Sequence, residues 1–440
     1  MPGAELRALG VLIVMMVAVG CGASTGTPLP SPTSVPPTRT PVPIPTATAT
    51  PDIPEPARPL LMAHFMPWYQ TPEVSGYWGW HWTMEHFRPS RTDEAGRPEI
   101  ASYLMPLTGP YDSRDEAVLE YQVLLMRLSG IDGVIVDWYR MEDFRDYGVL
   151  NASTHALFDH VQRAGLRFAI CYEDQTIKHM VENHHLAADA AEAHGQAVMQ
   201  YLETTWFGED AYLKVAGRPV LLVFGPQYFT SASEWETLFS ELDVRPALVT
   251  LDGHTESAGL SSFPWPPMWA GTDGILSRDA LARYLTGFYR KAALWDYQVA
   301  GAFPGFRDIY EEAGIASETR VLDPEQGETF QYTLDLAIDQ EPDVVQLITW
   351  NDYGETTSIE PTEEFGYRYL ERVQAARRAT DPAGFPFEAE DLRLPLRLYE
   401  LRKAHAGDAE VQARLDGVLP AVLEGDMDTV QEILAEVEEP

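Results

Sequence analysis

The chain has 440 residues, 45% of them hydrophobic, enough for one large α/β barrel with attachments or for two or three smaller domains. Its 67 acidic and 31 basic side chains give a formal net charge of -36. That balance argues against nucleic acid, whose binders need a basic footprint to displace counterions, and against anionic membrane surfaces and polyanionic glycans. A neutral polymer or oligosaccharide is compatible. Eleven Trp and 20 Tyr could stack on sugar faces, although most such rings serve in cores.

The first 21 residues read as export machinery. Arg7 supplies a short positive region, and Val11 to Gly20 is an apolar run too short to span a bilayer. Small residues precede a cysteine in Ala18-Val19-Gly20-Cys21. This resembles a bacterial lipoprotein signal, with Ala18 where Leu is usual. The resemblance implies lipidation at Cys21 and a protein on the cell surface, anchored to the membrane; ordinary secretion is the alternative. Residues 22–58 are rich in Pro, Thr and Ser and read as a semi-rigid stalk. The second cysteine, Cys171, has no intrachain partner left and lies in the apolar run Phe168-Ala169-Ile170-Cys171-Tyr172. It is expected to be a small buried hydrophobe, with no disulfide framework.

From residue 59 to 379 strands alternate with helices. The expected strands are Leu60–Tyr69, Gly133–Tyr139, Arg167–Glu173, Pro219–Phe224, Ala247–Asp252, Pro267–Ala270, Val299–Phe306 and Val344–Trp350. Several are near-continuous apolar runs, as in a parallel sheet covered on both faces. Helical spacing is visible in Arg114–Ser129, Ala187–Phe207, Arg278–Trp295 and Thr329–Asp339. Eight strands with helices between them predict a (β/α)8 barrel. Residues 380–440 read as a small acidic helical appendage, over Leu392–Lys403, Ala409–Leu423 and Met427–Val437. A monomer is expected.

In such a barrel the chemistry sits at the C-terminal strand ends. The first ends His64-Phe65-Met66-Pro67-Trp68-Tyr69, and a loop with Trp78, Trp80 and Trp82 follows it. The second ends Asp137-Trp138-Tyr139, the third Tyr172-Glu173-Asp174, the fifth Asp252-Gly253-His254. The eighth runs into Asn351-Asp352-Tyr353-Gly354-Glu355. Two carboxylates three residues apart would point to opposite faces of a straight strand, so a sharp turn at Gly354 is expected to bring them to one cavity. A carboxylate pair beside aromatic rings suits cleavage of a glycosidic bond; an acidic solvated turn is the plain alternative. No metal-ligand spacing is visible: His184-His185 diverge on a helix, and HxxxH and HxH are absent. Nucleotide-binding glycine loops and a GxSxG elbow are absent too. No metal or cofactor is expected.

Three segments, Ala63-His64-Phe65-Met66, Gly133 to Tyr139 and Trp350 to Glu355, resemble in this order the glycoside hydrolases of the fungal alpha-1,3-glucanase family (family 71). They also resemble the related endo-alpha-mannosidase family (family 99). The likeness covers roughly residues 60–370 and implies a (β/α)8 barrel. In the mannosidase family the last motif reads Asn-Glu-Trp-x-Glu-Gly, which places its two catalytic acids on Asp352 and Glu355. The glucanase pattern, Trp-Asn-Asp-Tyr-Gly-Glu-Ser, is closer here, with Thr356 in place of Ser. The resemblance implies an extracytoplasmic hydrolase of α-linked neutral glucan or mannan. Glu355 would be the general acid and Asp352 the base, acting on water or on the substrate itself. His64, Asp137 and Glu173 would orient sugar hydroxyls or tune those acids. Trp68, Tyr69, Trp138 and Tyr172 would wall the cleft, with Trp80, Asn351 and Tyr353 also in contact. The alternative is a surface lipoprotein that binds glycan on a degenerate barrel without cleaving it.

Overall fold

The computed structural model describes residues 58–252, 259–381 and 383–438. The export segment with Cys21, the stalk and the strand-end residue His254 lie outside them. Eight of the nine strands of the main sheet form the barrel, the ninth being the short antiparallel Lys214–Val215: β1 Leu60–Phe65, β2 Gly133–Trp138, β3 Arg167–Tyr172, β4 Arg218–Val223, β5 Ala247–Leu251, β6 Ser261–Phe263, β7 Val299–Ala302 and β8 Val344–Leu347. They are parallel and lie side by side in the order β6-β5-β4-β3-β2-β1-β8-β7. β6 and β7 meet at the remaining seam without a ladder between them. The result is a nearly closed (β/α)8 barrel. Strand parity sorts the side chains. Met62, Ile135, Ala169, Cys171, Leu222 and Val344 fill the barrel interior. Phe65, Val136, Trp138, Ile170 and Tyr172 face the surrounding helices.

The helices start where capping groups are available. Asp115 accepts from the Ala117 amide at the head of Glu116–Ser129, and Gly130 closes that helix at φ 82°. Ser231 and Glu234 form a reciprocal cap on Ala232–Phe239. Three helices of the barrel layer, Tyr147–Arg163, Ala232–Phe239 and Arg368–Thr380, were not anticipated from the sequence. The sixth strand is also displaced. Pro267–Ala270 is no strand: Met268–Ala270 is a single 3₁₀ turn, because Pro264, Pro266 and Pro267 offer no N–H to a ladder. The pairing falls instead on Ser261–Phe263, in register with Val249–Leu251.

Arg58–Pro440 forms one compact unit. The last helices, Leu394–Ala404, Ala409–Leu415, Val418–Glu424 and Met427–Glu438, bury Leu398, Leu415, Val418 and Leu434 in the core cluster shared with the barrel helices. Leu394–Ala404 lies along Glu116–Ser129, and Arg402 reaches Glu120 there at 2.9 and 3.0 Å. Among the described residues no helix is long and apolar enough to cross a membrane.

Candidate active site

The pentad leaves the end of β8 and is held by residues that follow β1. Asn351 fixes it: its Oδ1 accepts the Met66 amide at 2.8 Å, and its Nδ2 donates to the Met66 carbonyl and the Tyr111 hydroxyl, both at 3.0 Å. The Tyr69 hydroxyl donates to the Asn351 carbonyl at 2.9 Å and accepts the Tyr353 amide at 3.1 Å. Behind this lies Glu360, buried, accepting from Tyr353 Oη at 2.6 Å, Tyr111 Oη at 2.9 Å and Gln122 Nε2 at 2.8 Å. The turn that carries the acid pair is therefore built from the inside of the molecule. Its reversal is made at Thr356, at φ 57°, with the Thr356 hydroxyl tied to the Arg307 carbonyl at 2.6 Å. Gly354 lies within the turn, as expected, but outside the left-handed region. A Cβ there would lie 3.0 Å from the Met84 methyl, so the glycine marks a close approach.

Asp352 and Glu355 are 5% and 9% exposed, and the turn joins them directly: Asp352 Oδ1 accepts the Glu355 amide at 3.1 Å. Glu355 Oε1 accepts the Tyr310 hydroxyl at 3.3 Å. Burial raises the Asp352 carboxyl to about 7, against hydrogen bonds from the Glu355 and Gly354 amides. Burial, then the Asp352 charge, raises Glu355 to about 8, against the Arg320 guanidinium and the Tyr310 hydroxyl. Arg320 is itself held by Asp308 at 2.7 Å. Asp137 and Glu173 are buried and also raised, Asp137 by burial and the Asp352 charge, Glu173 by burial and the Asp137 charge. Four carboxyl groups thus form a chain across the mouth of β2, β3 and β8, each sensing the next. Such a set holds one group as acid and another as base near neutral pH.

His64, Asp137 and Glu173 lie with the acid pair at the strand ends, all buried. His64 stays neutral, burial lowering it to about 3, and its ring meets the Trp265 ring at 4.9 Å. Trp68 stacks on His81 at 4.0 Å and Trp80 is half-buried at the rim. Tyr69, Asn351 and Tyr353 are fully buried and brace the pentad; none of the three is a cleft wall. Trp138 and Tyr172 are not cleft walls either. Each follows an inward residue on its strand, so both point to the helix layer, where Trp138 stacks on Tyr201 and bonds Asn151 at 3.0 Å. The structure adds Tyr310, Arg320, Asp308, Trp265 and Glu360, which sequence reading missed. None lies within a motif; only Glu360, five residues past Glu355, stood near enough to be suspected.

Comparison with known proteins agrees with this architecture. The model of the family described as glycosyl hydrolase family 99 matches residues 57–253, which span β1 to β5 and stop short of the pentad. The mouse (Mus musculus) glycoprotein endo-alpha-1,2-mannosidase is 22% identical over 329 residues, covering 69% of this chain and 68% of that protein. Two structures of the family 99 endo-alpha-mannosidase from Bacteroides thetaiotaomicron share the fold. One has TM-score 0.53 at 17% identity, the other, in complex with bis-tris-propane, 0.52 at 18%; each covers 72% of this chain and 95% of the other. Of the two families that the motifs resemble, the comparisons support the second: the chain is an endo-alpha-mannosidase-like glycoside hydrolase, similar to those of family 99.

Proposed function

We propose that this enzyme hydrolyses an α-linked neutral glycan of the mannan type outside the cytoplasm, with Glu355 as general acid and Asp352 as base. One observation carries the assignment of roles. The two carboxyl groups share a buried turn at the end of the last strand, where the Glu355 amide donates to Asp352 and favours its carboxylate, whose charge in turn helps Glu355 to keep its proton. Glu355 protonates the glycosidic oxygen as the C–O bond breaks. Asp352 takes a proton from the attacking water, or from a substrate hydroxyl that attacks first. With water as the direct attacker, Asp352 ends protonated and Glu355 ionised, and exchange with solvent resets both; with the substrate hydroxyl attacking first, Glu355 takes a proton from the water that opens the cyclic intermediate and Asp352 returns its proton to the hydroxyl. The mannan preference rests on what the named relatives act on, and the acidic surface favours a neutral polymer.

Release of reducing ends from a panel of α-mannans and α-glucans tests the reading. Glu355→Gln and Asp352→Asn should each lower the rate by at least ~100-fold while glycan binding persists. Near wild-type turnover in either variant removes that residue from its role. A wild-type protein that binds glycan and releases nothing would instead be a binding protein. Placement on the cell surface rests on the sequence around Cys21, and Cys21→Ser should move the protein from the membrane fraction to the soluble one. Continued tethering would contradict the lipid anchor.

A further inference from the structure

One inner layer of the barrel is polar where the layers below it are apolar. His64 from β1, Asp137 from β2 and Cys171 from β3 all point inward there, with Asp137 and Cys171 directly opposite in the ladder. A His64 ring nitrogen, an Asp137 carboxylate oxygen and Cys171 Sγ lie within 4.8 Å of one another. All three residues are at least nine-tenths buried. Neither His64 Nε2 nor Asp137 Oδ1 has a hydrogen-bond partner within the protein. Two buried polar atoms left without a protein partner in one layer point to a ligand there.

We propose that this layer binds a divalent cation of the zinc class, independently of the acid pair's function. A thiolate, an imidazole and a carboxylate are the donors that zinc takes, whereas magnesium and calcium take oxygen alone. With Cys171 and Asp137 ionised and His64 neutral, the ion brings the layer to net zero charge. That is the condition for keeping charge in a barrel interior. Tetrahedral binding needs ligand atoms about 3.5 Å apart, so the three must close by about 1 Å, within the reach of small side-chain rotations. His64 is already oriented for it. Its Nδ1 lies 2.7 Å from the Gln346 amide. With the amide oxygen toward the ring, Gln346 accepts from Nδ1–H and leaves the buried Nε2 with its lone pair free for an ion. The sequence concealed the site because its ligands come one from each of three strands, with no local spacing.

The experiment uses the full chain without a polyhistidine tag, refolded with zinc or with cobalt(II), since ligands this buried are reached most readily as the chain folds. About one equivalent of zinc should remain after gel filtration, and the cobalt form should show thiolate-to-cobalt absorption in the near ultraviolet. Cys171→Ser should abolish that band, and Gln346→Leu should weaken zinc binding by roughly 10- to 100-fold, as loss of a group that orients a ligand does. Circular dichroism checks that each variant folds, and Gln346→Leu leaves all three ligand residues in place should Cys171→Ser misfold. A wild-type protein that retains no zinc and shows no cobalt–thiolate band overturns the proposal. So does a band that survives Cys171→Ser, which would place the ion on Cys21.

Discussion

Glu360 offers the sharpest test of the electrostatics behind the site. Burial raises its carboxyl from an ordinary 4.5 to about 7, although Tyr353, Tyr111 and Gln122 all donate to it. The folded protein therefore prefers the protonated form. The stability this provides is fully present below about pH 4.5 and is lost as pH rises through about 7. The gap is worth about 3 kcal/mol. Glu360→Gln imitates the protonated acid at every pH. Its new amide N–H has a partner waiting, because Gln122 Oε1 is buried without one and a turn of the Gln122 amide presents it. Variant and wild type should therefore match within about 1 kcal/mol at about pH 4.5, with the variant more stable by about 3 kcal/mol at about pH 8. Urea unfolding followed by the fluorescence of the 11 tryptophans measures both. A difference between the two proteins that is flat with pH, or that favours the wild type at alkaline pH, would refute the buried charge.

Other outcomes follow from the same geometry. Activity should peak near neutral pH, because Asp352 must have lost its proton, at about 7, while Glu355 keeps its own up to about 8; the two limbs belong to the pair. Tyr310→Phe removes a hydrogen bond that favours ionised Glu355, so the alkaline limb should move to higher pH in a pH–rate profile; a downward shift would contradict the contact. Asn351→Ala strips partners from the Met66 amide and carbonyl and from Tyr111. It should cost about 3 kcal/mol in denaturant and lower activity with it, and a loss under about 1 kcal/mol would show that the anchor is dispensable.

Seven of the eight barrel strands were legible in the sequence because parallel strands covered on both faces read as unbroken apolar runs. Their ends were overrun by one to four residues, since apolar residues continue into the buried loops above the barrel. β1 stops at Phe65, yet Met66, Trp68 and Tyr69 are as buried as the strand itself. Tyr147–Arg163 was hidden by Asn151, Ser153, Thr154 and His155 in mid-helix. The Ser153 and Thr154 hydroxyls satisfy themselves on the carbonyls of Val149 and Leu150. The acid pair was legible from one motif. Trp138 and Tyr172 were misplaced although strand parity alone contained the answer, because Asp137 cannot face the cleft unless Trp138 turns away. Tyr310, Arg320 and Asp308 come from the loops after β7 and act on Glu355 only through the fold.

Met66 and Asn351 stand 285 residues apart, and their paired hydrogen bonds tie the loop after the first strand to the loop after the last. Turnover is therefore a readout of ring closure. A chain that has assembled β1 to β7 has buried most of its core, yet both flanks of β1's cleft loop still lack their partner. That last docking spans nearly the whole domain and carries its loop-closure entropy, so it belongs among the slow steps of folding. Until it happens, one side of β1 is an open strand edge, Leu60 to Ala63, that another unfinished copy could pair with. The population most prone to aggregate is thus the one that is catalytically silent, and activity per milligram of protein counts the molecules that have closed.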